Sequence, residues 1–166
     1  MIGEIHQILI GLHIFLAIIW VGGILFIGWG VFPAVKAMKP NEQRLFLHTL
    51  MLRTHWIFTL AGAGVIITGF LLGTVVGPIT HISDIFRFAY GISWFIAFLI
   101  GLITLAWGIF VGYNQTMKVL SEDSLWFSAE NGDALPLNKA MVKITCLESV
   151  EVIGFIVILI CMVLLR

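Results

Sequence analysis

From Ile8 to Val35 the chain runs about 28 residues without an Asp, Glu, Lys or Arg. About 20 apolar residues suffice for a helix to cross a hydrocarbon core about 30 Å thick, so this stretch reads as a transmembrane helix. Three further stretches are long and apolar enough to do the same, which places spans at about 8–35, 50–76, 86–113 and 144–165. The second has a polar helical lead-in from about Asn41 and is most apolar from Trp56. Lipid offers no partner to an open backbone N–H or C=O, so each span must be helical. The expected fold is therefore all-α: one integral membrane domain, 1–166, of four transmembrane helices running up-down-up-down, with no room for a separate soluble domain.

Composition agrees. The chain is 60% hydrophobic and 11% charged, against about 45–50% and about 25% for soluble domains. Net charge is zero, so there is no basic surface for nucleic acid. Met1-Ile2-Gly3-Glu4 lacks a basic n-region, and the apolar run that follows is too long for a signal peptide, so it reads as a retained span. Cys146 and Cys161 fall in one late apolar segment. On a single helix they would lie roughly 22 Å apart, too far to bridge.

The connections carry the charge. Pro40 stops the first helix and Asn41 can cap the second. The link from Gly77 to Asp84 is short. The longest loop, about 116–140, holds the turn signal Asn131-Gly132-Asp133, and its Trp126 and Phe127 suit a membrane surface. Lys36, Lys39, Arg44 and Arg53 flank the first loop, and Lys118, Lys139 and Lys143 the third, whereas the opposite side has Arg87 and Arg166. Basic residues favour the cytoplasmic side. The expectation is a multi-pass protein of the cell (inner) membrane with both termini outside.

Two glycine stripes, Gly69-Gly73-Gly77 and Gly108-Gly112, repeat every four residues. They offer close helix packing, or room for a flat cofactor against backbone. Trp20-Val21-Gly22-Gly23 reads as a further packing surface.

Chemistry is concentrated in few residues. His13 is the titratable and metal-ligating group of the first span, and an ionisable residue inside a span is a functional-site candidate. His6 and His13 are seven residues apart, as are His48 and His55, so each pair shares a helix face. Neutral imidazole binds metals and haem iron. His13 and His55 differ in depth by roughly 15 Å, at about 1.5 Å per residue, which makes them two sites, or one site and a structural histidine. His81, Tyr90 and Met162 lie on the same side as His13, and an inward-facing Gly91 would leave space for a porphyrin. On the other side Arg53 and His55 open the second span, while Glu148 and Glu151 share a face of the fourth. That group reads either as an interhelical Arg53–Glu ion pair or as a proton or quinone site with His55 in a relay.

Leu12-His13, six residues, then Trp20-Val21-Gly22-Gly23 resembles the first span of CopD-like membrane proteins and of HemJ-type membrane proteins. Arg53 with Thr68-Gly69 resembles the CopD-like second span, Tyr113-Asn114 the end of its third, and Glu151-Val152 a HemJ-type fourth-span stretch. The likeness thus covers most of the chain as a pattern. It implies a b-type haem or copper, with His13 in the place of the haem-ligating histidine. Phe88-Ala89-Tyr90-Gly91-Ile92-Ser93-Trp94 has no lysine where the HemJ-type family has one.

The expectation is a haem b protein of electron transfer or oxidoreduction, working with quinone or a redox partner protein. His13, His55 and His81 are its candidate cofactor residues, and His13 and His55 its candidate metal ligands. The alternatives are copper handling or transport, and a cofactor-free subunit of a membrane complex. Self-association as a homo-oligomer is compatible with each.

Overall fold

The computed structural model of the protein describes residues Ile2–Leu165; Arg166, counted above in the charge bias, and Met1 lie outside them. Every regular element among the described residues is a helix. Four are long and apolar enough to cross a membrane: α1 (Gly3–Val35), α2 (Pro40–Gly73), α4 (Ala89–Ser121) and α6 (Leu135–Leu164). Two short ones lie between them, α3 (Ile82–Arg87) and α5 (Asp123–Glu130). The fold is the expected four-helix bundle.

The ends differ from the sequence expectation where polar residues continue a helix past its apolar part. Pro40 opens α2 as its first residue, and Lys39, in extended backbone, precedes it. Proline suits this position because the first N–H groups of a helix have no intrahelical partner to lose. Asn41 therefore lies inside α2 and does not cap it. At the other end α2 stops at Gly73, and residues 74–79 fold back, with the Ile79 N–H donating to the Gly73 carbonyl. Phe86 and Arg87 belong to α3, and the chain breaks at Phe88 (φ −123°, ψ 146°) before α4.

The expected long loop of 116–140 is mostly helix. α4 runs on to Ser121, α5 follows, and α6 begins at Leu135. A true turn remains at Asn131-Gly132-Asp133, where Gly132 takes φ 97°. The helices persist because they share a core: Val35, Leu47, Leu120, Trp126, Leu137 and Ile144 pack together at this end of the bundle. Trp126 is not on the surface. It is 2% exposed, and its Nε1–H donates to the Val119 carbonyl at 3.0 Å; Phe127 is the exposed ring. Arg44 ties the same region together, with Nε donating to the Leu120 carbonyl at 2.7 Å and a guanidinium nitrogen 2.6 Å from Asp123. This end is called the loop end below, and the other the terminal end.

α1 packs on α2, α2 on α4, and α4 on α6. The seam between α1 and α6 is thin: Trp20 meets Phe155 edge to face, with centroids 5.1 Å apart. Three five-residue stretches wind as π-helix: Ile18–Gly22 and Ile27–Val31 in α1, and Gly108–Gly112 in α4. Such bulges widen a helix locally and occur often at functional sites.

Candidate functional site

All three π-helical stretches border one cavity of about 140 Å³ in the loop-end half of the bundle. Trp20, Gly28 and Trp29 from α1, His55 and Phe58 from α2, Thr104, Gly108 and Tyr113 from α4, and Thr145, Glu148, Ser149 and Glu151 from α6 contribute to its wall. The four helices thus meet in a pocket that is aromatic on the α1–α2 side and acidic on the α6 side.

Glu148 and Glu151 stand one helical turn apart on α6. Both are backed by glycine. A Cβ at Gly108 would lie 2.6 Å from Glu151 Oε1, and one at Gly112 would lie 3.2 Å from an oxygen of each glutamate. The Gly108-Gly112 stripe is therefore neither bare helix packing nor a cofactor platform: its missing side chains are where the carboxylates sit. Glu148 accepts a hydrogen bond from the Thr116 hydroxyl at 3.2 Å. Glu151 is 3% exposed as a residue, and its carboxylate opens into the cavity rather than being sealed from it.

Arg53 does not join this group. It is exposed and lies outside the cavity wall, so the expected Arg53–Glu pairing is not formed. A helix presents one face at a time: His55 points into the pocket, and Arg53, two residues away, points off that face. His55 instead stacks on Tyr113, with centroids 3.8 Å apart and planes 23° from parallel. Among the described residues the cavity wall holds no lysine or arginine.

His13 belongs to a second, smaller cavity of about 40 Å³ toward the terminal end, shared with Trp20, Gly69, Trp94 and Met162. His13 and His55 thus line separate pockets. The Thr68 hydroxyl donates to the Gly64 carbonyl at 2.7 Å. Its single proton being used, it accepts from His13 Nδ1–H at 2.8 Å. This arrangement favours the neutral tautomer with its proton on Nδ1. Gly69 makes room for the ring, since a Cβ there would lie 3.1 Å from His13 Cε1.

Of the other terminal-end candidates, Met162 shares the His13 cavity, whereas His81 and Tyr90 do not line it. His81 is exposed and precedes α3, where its N–H donates to Asp84 at 2.8 Å. That bond, and those from Thr80, hold the Asp84 carboxyl below the usual carboxylate range. Gly91 leaves no space for a porphyrin: a Cβ there would press on the Asp84 carbonyl oxygen and the Ile85 backbone. Trp20 packs against Gly62, and Phe58 against Gly23, as a packing surface requires.

The residues around His13 fit haem in one respect only. A free Nε2 whose ring is oriented by a hydrogen bond at Nδ1 is how a ligating imidazole is held. The 40 Å³ beside it is too small for a porphyrin. Among the described residues no three His, Cys, Asp or Glu side chains gather as a metal site. Comparison with known proteins adds no candidate: no family model, no curated protein and no solved structure matches the chain.

What sequence reasoning missed was Tyr113 as the partner of His55, and Thr68 as the partner of His13. The glycine–glutamate match was visible in principle, since Gly108 and Gly112 on one helix can oppose Glu148 and Glu151 on another.

Proposed function

We propose that the chain is a multi-pass membrane protein whose working part is the loop-end cavity, and that this cavity takes up a positive charge, a proton or a cation, on Glu148 and Glu151. One observation carries the reading: Glu151, 3% exposed as a residue, opens its carboxylate into a pocket whose wall, among the described residues, has no lysine or arginine to pair with it. An unpaired carboxylate in a span costs several kcal/mol. A site that keeps one must neutralise it with a mobile charge, which is what a proton-linked or cation-binding membrane protein requires. The basic residues Lys36, Lys39, Lys118, Lys139 and Lys143 cluster at the loop end, so we place that end in the cytoplasm and both termini outside the cell membrane.

Infrared difference spectroscopy of the protein in nanodiscs, stepped in pH, tests this. The C=O stretch of a protonated carboxyl should appear and disappear with pH and be lost in Glu151→Gln. If no carboxyl signal depends on Glu151 or Glu148, the reading fails.

A second reading follows from the tautomer of His13. With Nδ1 on Thr68, the Nε2 side of the ring and Met162 in the same cavity are the donor chemistry that the CopD-like and HemJ-type resemblance asks for. Copper at His13 would make the protein a copper-handling component of the membrane, whereas a haem b there, and with it a role in membrane electron transfer, needs the helices to part further than this cavity allows. A visible spectrum of protein made with ample haem supply decides it. No Soret band excludes haem, and an unshifted band in His13→Ala excludes His13 as its ligand.

A further inference from the structure

We infer that the ligand of the loop-end cavity is an amphipathic organic cation, whose head group enters from the lipid between α1 and α6 and exchanges with the proton held by the Glu148–Glu151 pair. The inference rests on the charge-uptake reading above and names its ligand class.

Charge comes first. Among the described residues the titratable groups facing the pocket are His55 from α2, Tyr113 from α4, and Glu148 and Glu151 from α6, while α1 contributes none. The wall is net acidic, so it selects a cation over a neutral or anionic ligand.

The rest of the wall decides which cation. Hard metal ions take six or more oxygen ligands. Here the hydroxyls of the wall are Thr54, Thr59, Thr104, Thr145 and Ser149, of which Thr54, Thr145 and Ser149 donate to carbonyls of their own helices, and beside them the wall is rich in rings: Trp20, Trp29, Phe58 and the stacked His55–Tyr113 pair. Aromatic faces attract organic ammonium groups and also cover apolar ligand surface. An acid pair behind an aromatic wall therefore suits a ring-bearing or quaternary ammonium head.

Size and access agree. About 140 Å³ matches the roughly 150 Å³ of a cavity that holds one benzene ring. One head group fits and a long tail does not. Trp29, which is 73% exposed, Thr145 and Ser149 form the rim on α1 and α6. That rim lies on the thin seam where Trp20–Phe155 is the ring contact, so the tail can remain in lipid while the head sits inside.

Benzyldimethyldodecylammonium has such a head and tail. Titrated into the full protein in nanodiscs, with empty nanodiscs as the partitioning control, it should bind saturably and release protons. Glu151→Gln should weaken binding by about tenfold or more, the equivalent of about 1.4 kcal/mol, and Trp29→Ala by a smaller factor. Trp29 is exposed, so that variant tests the rim even if Glu151→Gln does not fold. The uncharged N-benzyldodecanamide should not compete. Binding indistinguishable from empty nanodiscs overturns the proposal, as does competition by sodium or magnesium, or Glu151-dependent binding of decylubiquinone. If the infrared carboxyl signal of Glu151 still follows pH while the ammonium does not bind, the ligand class is wrong and charge uptake stands. If both are absent, both readings fall.

Discussion

Glu151 sits where the side chain of residue 108 would be: its Oε1 lies 2.6 Å from the position of a Cβ on Gly108. Gly108→Ala must push that carboxylate, the mobile end of its side chain, off its seat and into the cavity it lines, which puts the cost at the low end of the overpacking range. Overpacking of this kind costs about 1–3 kcal/mol. Removing the carboxylate as well should restore much of the loss, so Gly108→Ala with Glu151→Ala should show a coupling of about 1 kcal/mol or more. Unfolding of the four proteins in mixed micelles measures it, and additive effects would show that the two residues do not touch.

Thr68→Val keeps the shape of the side chain but leaves His13 Nδ1–H without its acceptor. A buried donor left unpaired costs about 1–3 kcal/mol. Thr68→Ser, which retains the hydroxyl, should stay close to the parent. Nitrogen NMR of the His13 ring should show the proton on Nδ1 in the parent and in Thr68→Ser. A proton on Nε2 would contradict the hydrogen-bond assignment.

Trp126 holds the loop-end core. Trp126→Ala should cost about 3–5 kcal/mol through the cavity it leaves. Trp126→Phe keeps most of the packing and loses the bond to the Val119 carbonyl, for about 1 kcal/mol. Thermal unfolding in detergent checks the order, and near-equal effects of the two variants would deny the packing role.

Arg44 and Asp123 form an ion pair at the protein surface. Asp123→Ala should cost under about 1 kcal/mol, as exposed pairs do. Arg44→Ala should cost more, because it also strips the Leu120 carbonyl of its donor at the end of α4. Equal shifts in the unfolding midpoint would mean that this backbone contact contributes nothing.

Asp84 gives the fold a pH dependence of known sign. Its carboxyl is held below the usual range by the His81 N–H, with help from Thr80. A group depressed on folding contributes stability above its unfolded pKa, about 3.9 for Asp, and loses that contribution as pH falls through the lower folded value. Amide exchange in α3 should accelerate across that acid window in the parent. In Asp84→Asn the acid step should be missing.

The four spans were legible in the sequence because apolar length is a one-dimensional signal, and the turn at Asn131-Gly132-Asp133 because it needs a residue that tolerates positive φ. The helical ends were not legible. Residues 116–140 are too polar to register as membrane helix, and only tertiary contact with Leu47 and Ile144 shows why Leu120, Trp126 and Leu137 are placed as they are. The site divided in the same way. Glu148 and Glu151 stood out as acids in a span, and the depth estimate separated His13 from His55. Sequence distance could not show that Arg53 turns away from the glutamates, or that Tyr113 lies on His55. Those depend on rotation about the helix axes, which in α4 the π-helical stretch just before Tyr113 shifts.

The long helices exceed what a bilayer needs. At about 1.5 Å per residue, the 34 residues of α2 and the 33 of α4 extend roughly 50 Å, against a hydrocarbon core of about 30 Å. The polar surplus gathers at one end, where Trp126 and Leu47 bind it into a solid body. That end thus forms a packed cap, and the helix lengths carry it beyond the hydrocarbon core on one side of the bilayer. Hauling that cap through lipid is far harder than passing the opposite tip. Protein added to preformed vesicles should therefore insert tip first and sit with one sidedness, so asymmetric reconstitution comes built into its shape.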